Sequence, residues 1–286
     1  MAWKQIIADP KLKKMAGRIM IYSLLISVSV LFLIPFFWMV STSLKGGQSQ
    51  IFAFPPQWIP VKLQWQNFSR ALTIFPFLAF LKNSCIITFV GLIGTLLSCS
   101  IVAFGFARLR FPGRDILFYI LLGTMMIPYH TTLIPMYILF TRIGWVDTLK
   151  PLFVPNFFGS PFFIFLLRQY YMGIPLELDD AARIDGCSTF QIFYKILLPL
   201  TKPALITVGI LQFVVAWNDF LGPLIYLQSQ KNYTLALGLN AFKGVYFTYW
   251  HLLMAASLVV CLPGIILFFI AQKHIIGGIT ISGLKQ

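Results

Sequence analysis

Charged residues are scarce in this chain of 286 amino acids, and acidic residues are the scarcest. Asp and Glu together number 8 and charged residues make up 10% of the sequence, whereas soluble domains average about 25%. Hydrophobic residues reach 58%, and the mean hydropathy is +0.83. This composition excludes an ordinary water-soluble domain and predicts a membrane protein.

Groups that carry out chemistry are also sparse. A GxxxxGK[ST] loop is absent from the sequence, so we expect no ATP-hydrolysing site of that kind on this chain. The four cysteines lack metal-ligand spacing and the three histidines are scattered, so we expect no metal site. A membrane-embedded enzyme is disfavoured, and ranks behind the two functional interpretations given below. No acid, base and nucleophile converge in the sequence, and no catalytic residue stands out.

The formal net charge of +14 does not predict nucleic-acid binding. The basic residues are dispersed among loops and form no cluster with aromatic residues. Membrane topology explains them better, because 14 of the 22 Lys and Arg residues fall in cytoplasmic segments if the N-terminus is cytoplasmic. The positive-inside rule therefore predicts that both termini lie in the cytoplasm.

Six apolar runs, the fifth of them interrupted by Asp219, have the length of about 17 to 25 residues that a helix needs to cross a bilayer. They lie near Ile19–Val40, Ser84–Ala107, Ile116–Phe140, Pro151–Leu167, Ala204–Gln228 and Leu252–Ala271. The sequence therefore predicts an all-α membrane protein with six transmembrane helices. We expect a cytoplasmic segment over 1–18, the membrane domain over 19–276 and a cytoplasmic tail over 277–286.

One polar stretch, DDAARIDGCSTFQIFYKILLPLTKP at 179–203, interrupts the apolar sequence. Pro175 and the acidic residues after it are typical of a helix N-terminus, and Gly186 is expected to end that helix. Ser188 and Gln191 fit a capping box, which predicts a second helix. Pro199 and Pro203 then redirect the chain.

The second helix is predicted to be amphipathic, with one apolar face formed by Phe190, Phe193, Tyr194 and Leu197. Two interpretations of the stretch remain. It is a connector at the bilayer surface, in which Asp179 pairs with Arg183 four residues later, or it docks against a basic protein pocket. The acidic first helix favours the second interpretation, because a helix on anionic lipid is usually cationic.

The pattern Asp180-Ala-Ala-x-x-Asp185-Gly186, followed by Phe193 and Leu198-Pro199, resembles the EAA loop of permeases in binding-protein-dependent ABC importers. Shorter matches extend over nearly the whole chain. They include STSLK at 41–45, FARLRFPGR at 106–114, WNDFLGPL at 217–224 and GGITISGLK at 277–285. The chain is similar to the shorter, six-span permease of maltose-type carbohydrate importers.

This resemblance implies a type I ABC importer permease fold in the plasma (inner) membrane of a bacterium. It implies three protein partners besides membrane lipid: a second homologous permease, a dimer of ATPase subunits and an extracytoplasmic solute-binding protein. ATP and Mg would be bound by the partner ATPase, with no cofactor on this chain. The transported solute would be a carbohydrate, either an oligosaccharide or a sugar derivative.

The resemblance also implies that the loop at about 173–203 is the coupling loop, which docks in a cleft of the ATPase. The residues that it assigns to ATPase coupling are Asp180, Ala181, Ala182, Asp185, Gly186, Phe190 and Phe193. The family's glutamate is replaced by Asp180, which is one methylene shorter.

An ionisable residue, Asp219, interrupts the fifth span, where it costs about 2.5 to 3.5 kcal/mol on insertion scales. Trp217, Asn218 and Asp219, with the helix-weakening Gly222-Pro223, are predicted to form a polar break. They line a gate or solute pathway, or they make a structural hydrogen bond to the partner permease. An alternative of another class is a self-sufficient secondary carrier with Asp219 as its coupling-ion site, which the lack of a clear internal repeat disfavours.

The chain ends with a segment that looks different from the spans. Gly277 and Gly278 follow the sixth span, and small, polar and apolar residues alternate after them. This pattern predicts an extended, strand-like segment through Gln286. The resemblance implies that this segment reaches the interface of the ATPase dimer.

Overall fold

The computed structural model describes the backbone of residues 10–244 and 248–283 and the side chains of 14–244 and 248–272. Within these ranges the regular structure is helical, apart from an isolated antiparallel bridge between Lys243 and Thr248. The prediction of an all-α protein is confirmed.

The α-helices are numbered in chain order. They are α1 (Pro10–Ser43), α2 (Gln48–Ile51), α3 (Gln66–Thr73), α4 (Phe77–Arg108), α5 (Arg114–Gly123), α6 (Tyr129–Arg142), α7 (Lys150–Phe153), α8 (Pro161–Met172), α9 (Glu177–Ile184), α10 (Thr189–Gln191), α11 (Leu198–Leu200), α12 (Lys202–Trp217), α13 (Leu221–Tyr226), α14 (Leu235–Gly238) and α15 (Trp250–Gly283). Short 3-10 turns cover Thr124–Met126, Val154–Phe158, Gln230–Asn232 and Leu239–Phe242, and Ile192–Leu197 is a π-helix.

Membrane-spanning helices of two kinds occur among the described residues. Four are long and apolar enough by themselves: Lys14–Ser43, Phe77–Arg108, Lys150–Met172 and Trp250–Gln272. Two more are bent pairs, Arg114–Met126 with Tyr129–Arg142 at 96° and Thr189–Leu200 with Lys202–Trp217 at 76°. With each bent pair taken as one span, the chain reaches the six spans that the sequence predicts.

The third predicted span, Ile116–Phe140, is not a straight helix. Pro128 lacks an N–H group and disfavours helical backbone at the residue before it. Ile127 is accordingly extended, with φ −78° and ψ 115°. The helical backbone therefore stops before Pro128, and α6 begins at Tyr129 in a new direction.

The fifth predicted span, Ala204–Gln228, is also discontinuous. Helix α12 ends at Trp217, and α13 begins only at Leu221. We expected Gly222 and Pro223 to weaken the helix, but both lie inside α13. Pro223 is tolerated because it occupies the first turn, where backbone N–H groups have no helical acceptor.

The prediction of an extended tail is wrong for the described backbone. Helix α15 continues through Gly277 and Gly278 to Gly283. Extending an existing helix forms one hydrogen bond per residue fixed, and an interior glycine costs only about 1 kcal/mol, so two glycines need not stop a long helix. The last part of the predicted strand, 284–286, lies outside the described residues.

The chain divides into two compact units, which comprise residues 1–74 with 242–259 and residues 75–241 with 260–286. In the first unit the side chain of Lys45 is fully buried, and its ammonium lies 3.9 Å from the centre of the Trp38 ring. Burial lowers the pKa of Lys45.

The second unit is organised around α4. This helix packs against α8, α12 and the turn Val154–Phe158. Two glycines make the approach possible, because a Cβ on Gly91 would lie 2.7 Å from Nδ2 of Asn156 and one on Gly94 would lie 2.6 Å from the ring of Phe157. Near its C-terminal end, α4 contributes to an apolar cluster formed with α8, α12 and the segment that follows α8.

Candidate functional site

The polar stretch at 179–203 folds as a helix, a glycine turn and a second helix. Helix α9 ends in a Schellman motif, in which the Gly186 N–H donates to the Arg183 carbonyl at 3.0 Å and the Cys187 N–H donates to the Ala182 carbonyl at 2.9 Å. Gly186 has φ +81°, which costs glycine nothing and strains other residues. The predicted glycine bend is confirmed.

The predicted capping box is confirmed as well. The Gln191 N–H donates to Ser188 Oγ at 3.3 Å, and the Ser188 N–H donates to Oε1 of Gln191 at 2.7 Å. The helix that starts there bends by 76° into α12 at Thr201. Pro199 and Pro203 flank this bend, in agreement with the prediction.

The apolar face predicted for the second helix is confirmed in part, because the ring of Phe190 lies 6.1 Å from that of Phe193 and 5.4 Å from that of Tyr194. Phe193 and Leu197 are buried, but Phe190 is 66% exposed and Tyr194 is 41% exposed. A π-helix follows Phe190, and its i→i+5 hydrogen bonds widen the turn. Ile192 and Leu197, five residues apart, are both buried, as are Phe193 and Leu197, four apart, so the buried face differs from the predicted one by the addition of Ile192.

Helix α9 has an inward and an outward face. Asp179 and Ala182, three residues apart, are buried, whereas Ile184 is 87% exposed. Of the residues that the resemblance assigns to coupling, Ala182 and Phe193 lie in the chain's own apolar cluster. The exposed ones are Asp180, Ala181, Asp185, Gly186 and Phe190. We call Asp180, Ala181 and Ile184 the outward face of α9.

A buried ion pair fixes the inward face. Arg108, the last residue of α4, places Nε 3.3 Å from Oδ2 of Asp179, and the two side chains are only 3% and 5% exposed. Nη2 of Arg108 also donates to the Ile174 carbonyl at 2.8 Å. One guanidinium therefore holds both the first turn of α9 and the segment before it. Burial raises the pKa of the Asp179 carboxyl, while Arg108 acts in the opposite direction.

The pair that the surface-connector interpretation included, Asp179 with Arg183, is not formed. Arg183 lies near Asp180 instead of Asp179, with Nη1 and Oδ1 3.6 Å apart and both side chains exposed. From the sequence, Arg108 counts only among the basic residues that set the topology, and its ion pair with Asp179 was not predicted. The available signal was its position at the very end of an apolar run, where an arginine either extends to water or pairs with an acid.

The second candidate site is the polar break after α12. Oδ1 of Asp219 accepts a hydrogen bond from the Gly222 N–H at 3.1 Å, and so caps the start of α13. A Cβ on Gly222 would lie 2.5 Å from Oδ2 of Asp219, so a larger residue there would displace the Asp219 carboxylate. Asp219 is half-buried, and the exposed Asn218 donates from Nδ2 to the Val214 carbonyl at 2.8 Å.

Trp217 differs from its two polar neighbours. It is 5% exposed and stacks on Phe213, with ring centres 5.4 Å apart. Its Nε1 donates to the Val260 carbonyl at 3.0 Å. These are packing contacts, so Asn218 and Asp219 keep the exposure that a gate or pathway role requires, whereas Trp217 does not.

A third polar cluster, which sequence analysis missed, surrounds Asp147. Its Oδ1 accepts from the Gln228 N–H at 3.0 Å, the Ser229 N–H at 2.8 Å and Nδ2 of Asn232 at 3.1 Å. The Ser229 hydroxyl donates to Oδ2. These hydrogen bonds, the one from the Ser229 hydroxyl above all, hold the pKa of Asp147 well below its usual range. The cluster ties residues 228–232 to the loop between α6 and α7.

The described residues thus combine apolar helices, two bent helix pairs and a capped polar helix pair. The chain is similar in fold to a chain of a bacterial ABC transporter involved in the import of the acidic polysaccharide alginate. The TM-score is 0.79 at 22% identity, with 91% of this chain and 97% of that chain covered. The class is therefore the type I ABC importer permease fold.

Sequence comparison gives the family. Residues 99–280 match the binding-protein-dependent transport system inner membrane component family, and the chain belongs to it. The arabinooligosaccharides transport system permease protein of Bacillus subtilis is 37% identical, over 71% of this chain and 72% of its own. The trehalose/maltose transport system permease protein of Thermococcus litoralis is 31% identical, over 94% and 97%.

The chain is thus a permease subunit of an ABC importer and a multi-pass protein of the plasma membrane. The resemblance based on the EAA loop is confirmed. The alternative of a self-sufficient secondary carrier receives no support from these relatives.

Proposed function

We propose that this chain is one of two homologous permeases that import a carbohydrate, an oligosaccharide or a sugar derivative. The solute class is supported by relatives that are named for arabinooligosaccharides and for trehalose and maltose. An extracytoplasmic solute-binding protein delivers the solute, in line with the family's description as binding-protein-dependent.

Energy comes from a separate dimer of ATPase subunits, which binds ATP and Mg. This chain lacks a GxxxxGK[ST] loop and acts as a transport subunit without its own ATPase site. The observation that carries the assignment is the two-faced helix α9. Its inward face is fixed by Asp179 and Ala182, while the outward face leaves Asp180, Ala181 and Ile184 exposed for a partner.

Both termini lie in the cytoplasm in this proposal, since the positive-inside rule favours that orientation. The C-terminal end of α4 and all of α9 then face the ATPase. Exposed Phe190, Asp185 and Gly186 border the outward face of α9 and extend the docking surface. The tail at 277–286 reaches the ATPase dimer, and deleting 280–286 should weaken assembly or regulation of hydrolysis.

The test is reconstitution of the chain with the second permease, the ATPase and the binding protein in proteoliposomes. Sugar uptake should require ATP and all four components, and the purified chain alone should hydrolyse no ATP. Uptake by the single chain, driven by an ion gradient, would overturn the proposal.

A variant of the outward face localises the ATPase contact. Asp180→Ala should weaken retention of the ATPase mildly, because loss of a partly exposed ion pair costs about 0.2 to 1 kcal/mol. Asp115→Asn is the matched control, since Asp115 forms an exposed pair with Arg114 at 2.9 Å, outside the coupling segment. Equal retention of the ATPase by both variants would remove Asp180 from the contact.

A further inference from the structure

Helix α4 is held by side-chain hydrogen bonds or ion pairs at both of its ends. At the C-terminal end, Arg108 holds Asp179 and the Ile174 carbonyl. At the N-terminal end, Nδ2 of Asn83 donates to the carbonyls of Lys231 at 2.9 Å and Tyr233 at 3.0 Å. The two attachments lie at opposite ends of α4, and each joins α4 to a different segment of the chain.

The N-terminal attachment involves a second residue of α4. The Leu235 N–H donates to Oγ of Ser84 at 2.9 Å, in a buried position. The segment 228–238, which these bonds hold, is also bound by the Asp147 cluster. By the predicted topology this segment is extracytoplasmic, whereas α9 is cytoplasmic.

The helix between the attachments is suited to transmit movement. Its 32 residues give a length of about 48 Å. Helices α1, α6 and α15 contain internal prolines, but α4 contains none, so no proline removes a hydrogen bond from its backbone ladder. It also packs against α8 and α12.

The ion pair itself is incompletely hydrogen-bonded. Nε of Arg108 and Oδ1 of Asp179 are buried without a hydrogen-bond partner among the described residues, although Nε lies within ion-pair distance of Oδ2. A buried polar atom without a partner needs an explanation, and a contact whose geometry changes between functional states supplies one.

We propose that α4 is a rigid strut that transmits movement of α9 to the extracytoplasmic segment 228–238, with Arg108 and Asp179 as its inner joint and Asn83 as its outer joint. These are positioning residues, because none of them touches solute or ATP. The inference rests on the proposed function, in which α9 docks on the ATPase.

The test measures solute transported per ATP hydrolysed in the reconstituted importer, together with retention of the ATPase. Asp179→Asn and Asn83→Ala should each lower this ratio by about tenfold, while the outward face of α9 still retains the ATPase. Because both act on one path, the double variant should be little worse than either single variant. Asp115→Asn should keep the wild-type ratio.

Two outcomes overturn the inference: an unchanged ratio in Asp179→Asn, or fully multiplicative effects in the Asp179→Asn, Asn83→Ala double variant. If Asp179→Asn fails to assemble because Arg108 is left unpaired, Arg108→Gln combined with Asp179→Asn removes both charges. This double variant should assemble but still transport less solute per ATP hydrolysed. A wild-type ratio of solute to ATP would contradict the role proposed for α4. Failure of the proposed function is distinguishable, since the wild-type complex would then show no ATP-driven uptake.

Discussion

The indole N–H of Trp217 donates to the carbonyl of Val260 at 3.0 Å, and thereby ties the end of α12 to the middle of α15. This bond is buried, whereas Asp219, two residues later, is half-buried and ionisable. Trp217 and Asp219 therefore have different roles, and substitutions can separate these roles.

Trp217→Phe keeps an aromatic ring against Phe213 and removes the indole N–H. We expect a loss of about 0.5 to 1.5 kcal/mol in the free energy of unfolding, the net worth of a typical hydrogen bond. Thermal unfolding of the purified complex should shift down, while the KM for solute uptake stays the same. A changed solute preference with unchanged stability would place Trp217 in the pathway.

Asp219 is tested by comparing two substitutions. Asp219→Asn keeps an oxygen that can accept from the Gly222 N–H and removes only the charge, whereas Asp219→Ala removes the cap as well. If the charge serves the gate, both variants lose uptake and stimulation of the ATPase. If Asp219 only caps α13, the Asn variant transports like wild type and the Ala variant is destabilised by about 1 kcal/mol.

Gly186 is constrained by its backbone and not by space, because a Cβ there would meet nothing within 4 Å. Gly186→Val should uncouple transport from hydrolysis, since a β-branched residue is strained at φ +81° and would turn α9 away from its partner. Gly186→Asn should be milder, because asparagine tolerates this conformation better. ATPase pull-down and sugar uptake are measured in parallel.

Gly105→Ala serves as the control for Gly186, since it also adds a Cβ into open space but at a helical position of α4. It should leave pull-down and uptake at wild-type levels. Full ATPase binding and full uptake by Gly186→Val would mean that the turn does not orient the docking helix.

The hydrogen bonds that Asp147 accepts lead us to expect a pH effect on the segment 228–232. Its pKa is lower in the folded protein than in the unfolded chain, so its stabilising effect is complete above the ordinary value of about 3.9 and is lost as the pH falls below it. Amide hydrogen exchange at Gln228 and Ser229, corrected for intrinsic rates, should lose protection as the pH falls below about 4. Asp147→Asn should show no such loss, and an equal loss in both proteins would contradict the assignment.

Sequence alone determined the parts of this protein that are set by neighbouring residues. The end of α9 and the start of α10 were predicted correctly because Gly186, Ser188 and Gln191 satisfy backbone groups within a few residues of themselves. The membrane class was also predicted correctly, and the six predicted spans are reached when each bent helix pair counts as one span. Charged groups are costly in lipid, so membrane spans leave long apolar runs in the sequence.

Local patterns failed where the hydrogen-bond register or an existing helix overrode them. The buried face of the second helix differs from the predicted one because a π-helical turn adds Ile192 to it, while Phe190 and Tyr194 stay exposed. The prediction of an extended tail was wrong because α15 continues through Gly277. Extending an existing helix is favourable enough to outweigh a weak local preference for strand.

Only the tertiary structure decided which distant polar groups meet. Arg108 could have extended to water and Asp179 could have paired with Arg183, and sequence spacing favoured both outcomes. Packing of α4 against the segment around α9 buries both side chains together, and a buried charge requires an opposite charge nearby. Asp147 and Ser229 meet for a related reason, since the fold brings two loops together and the carboxylate accepts the free N–H groups there.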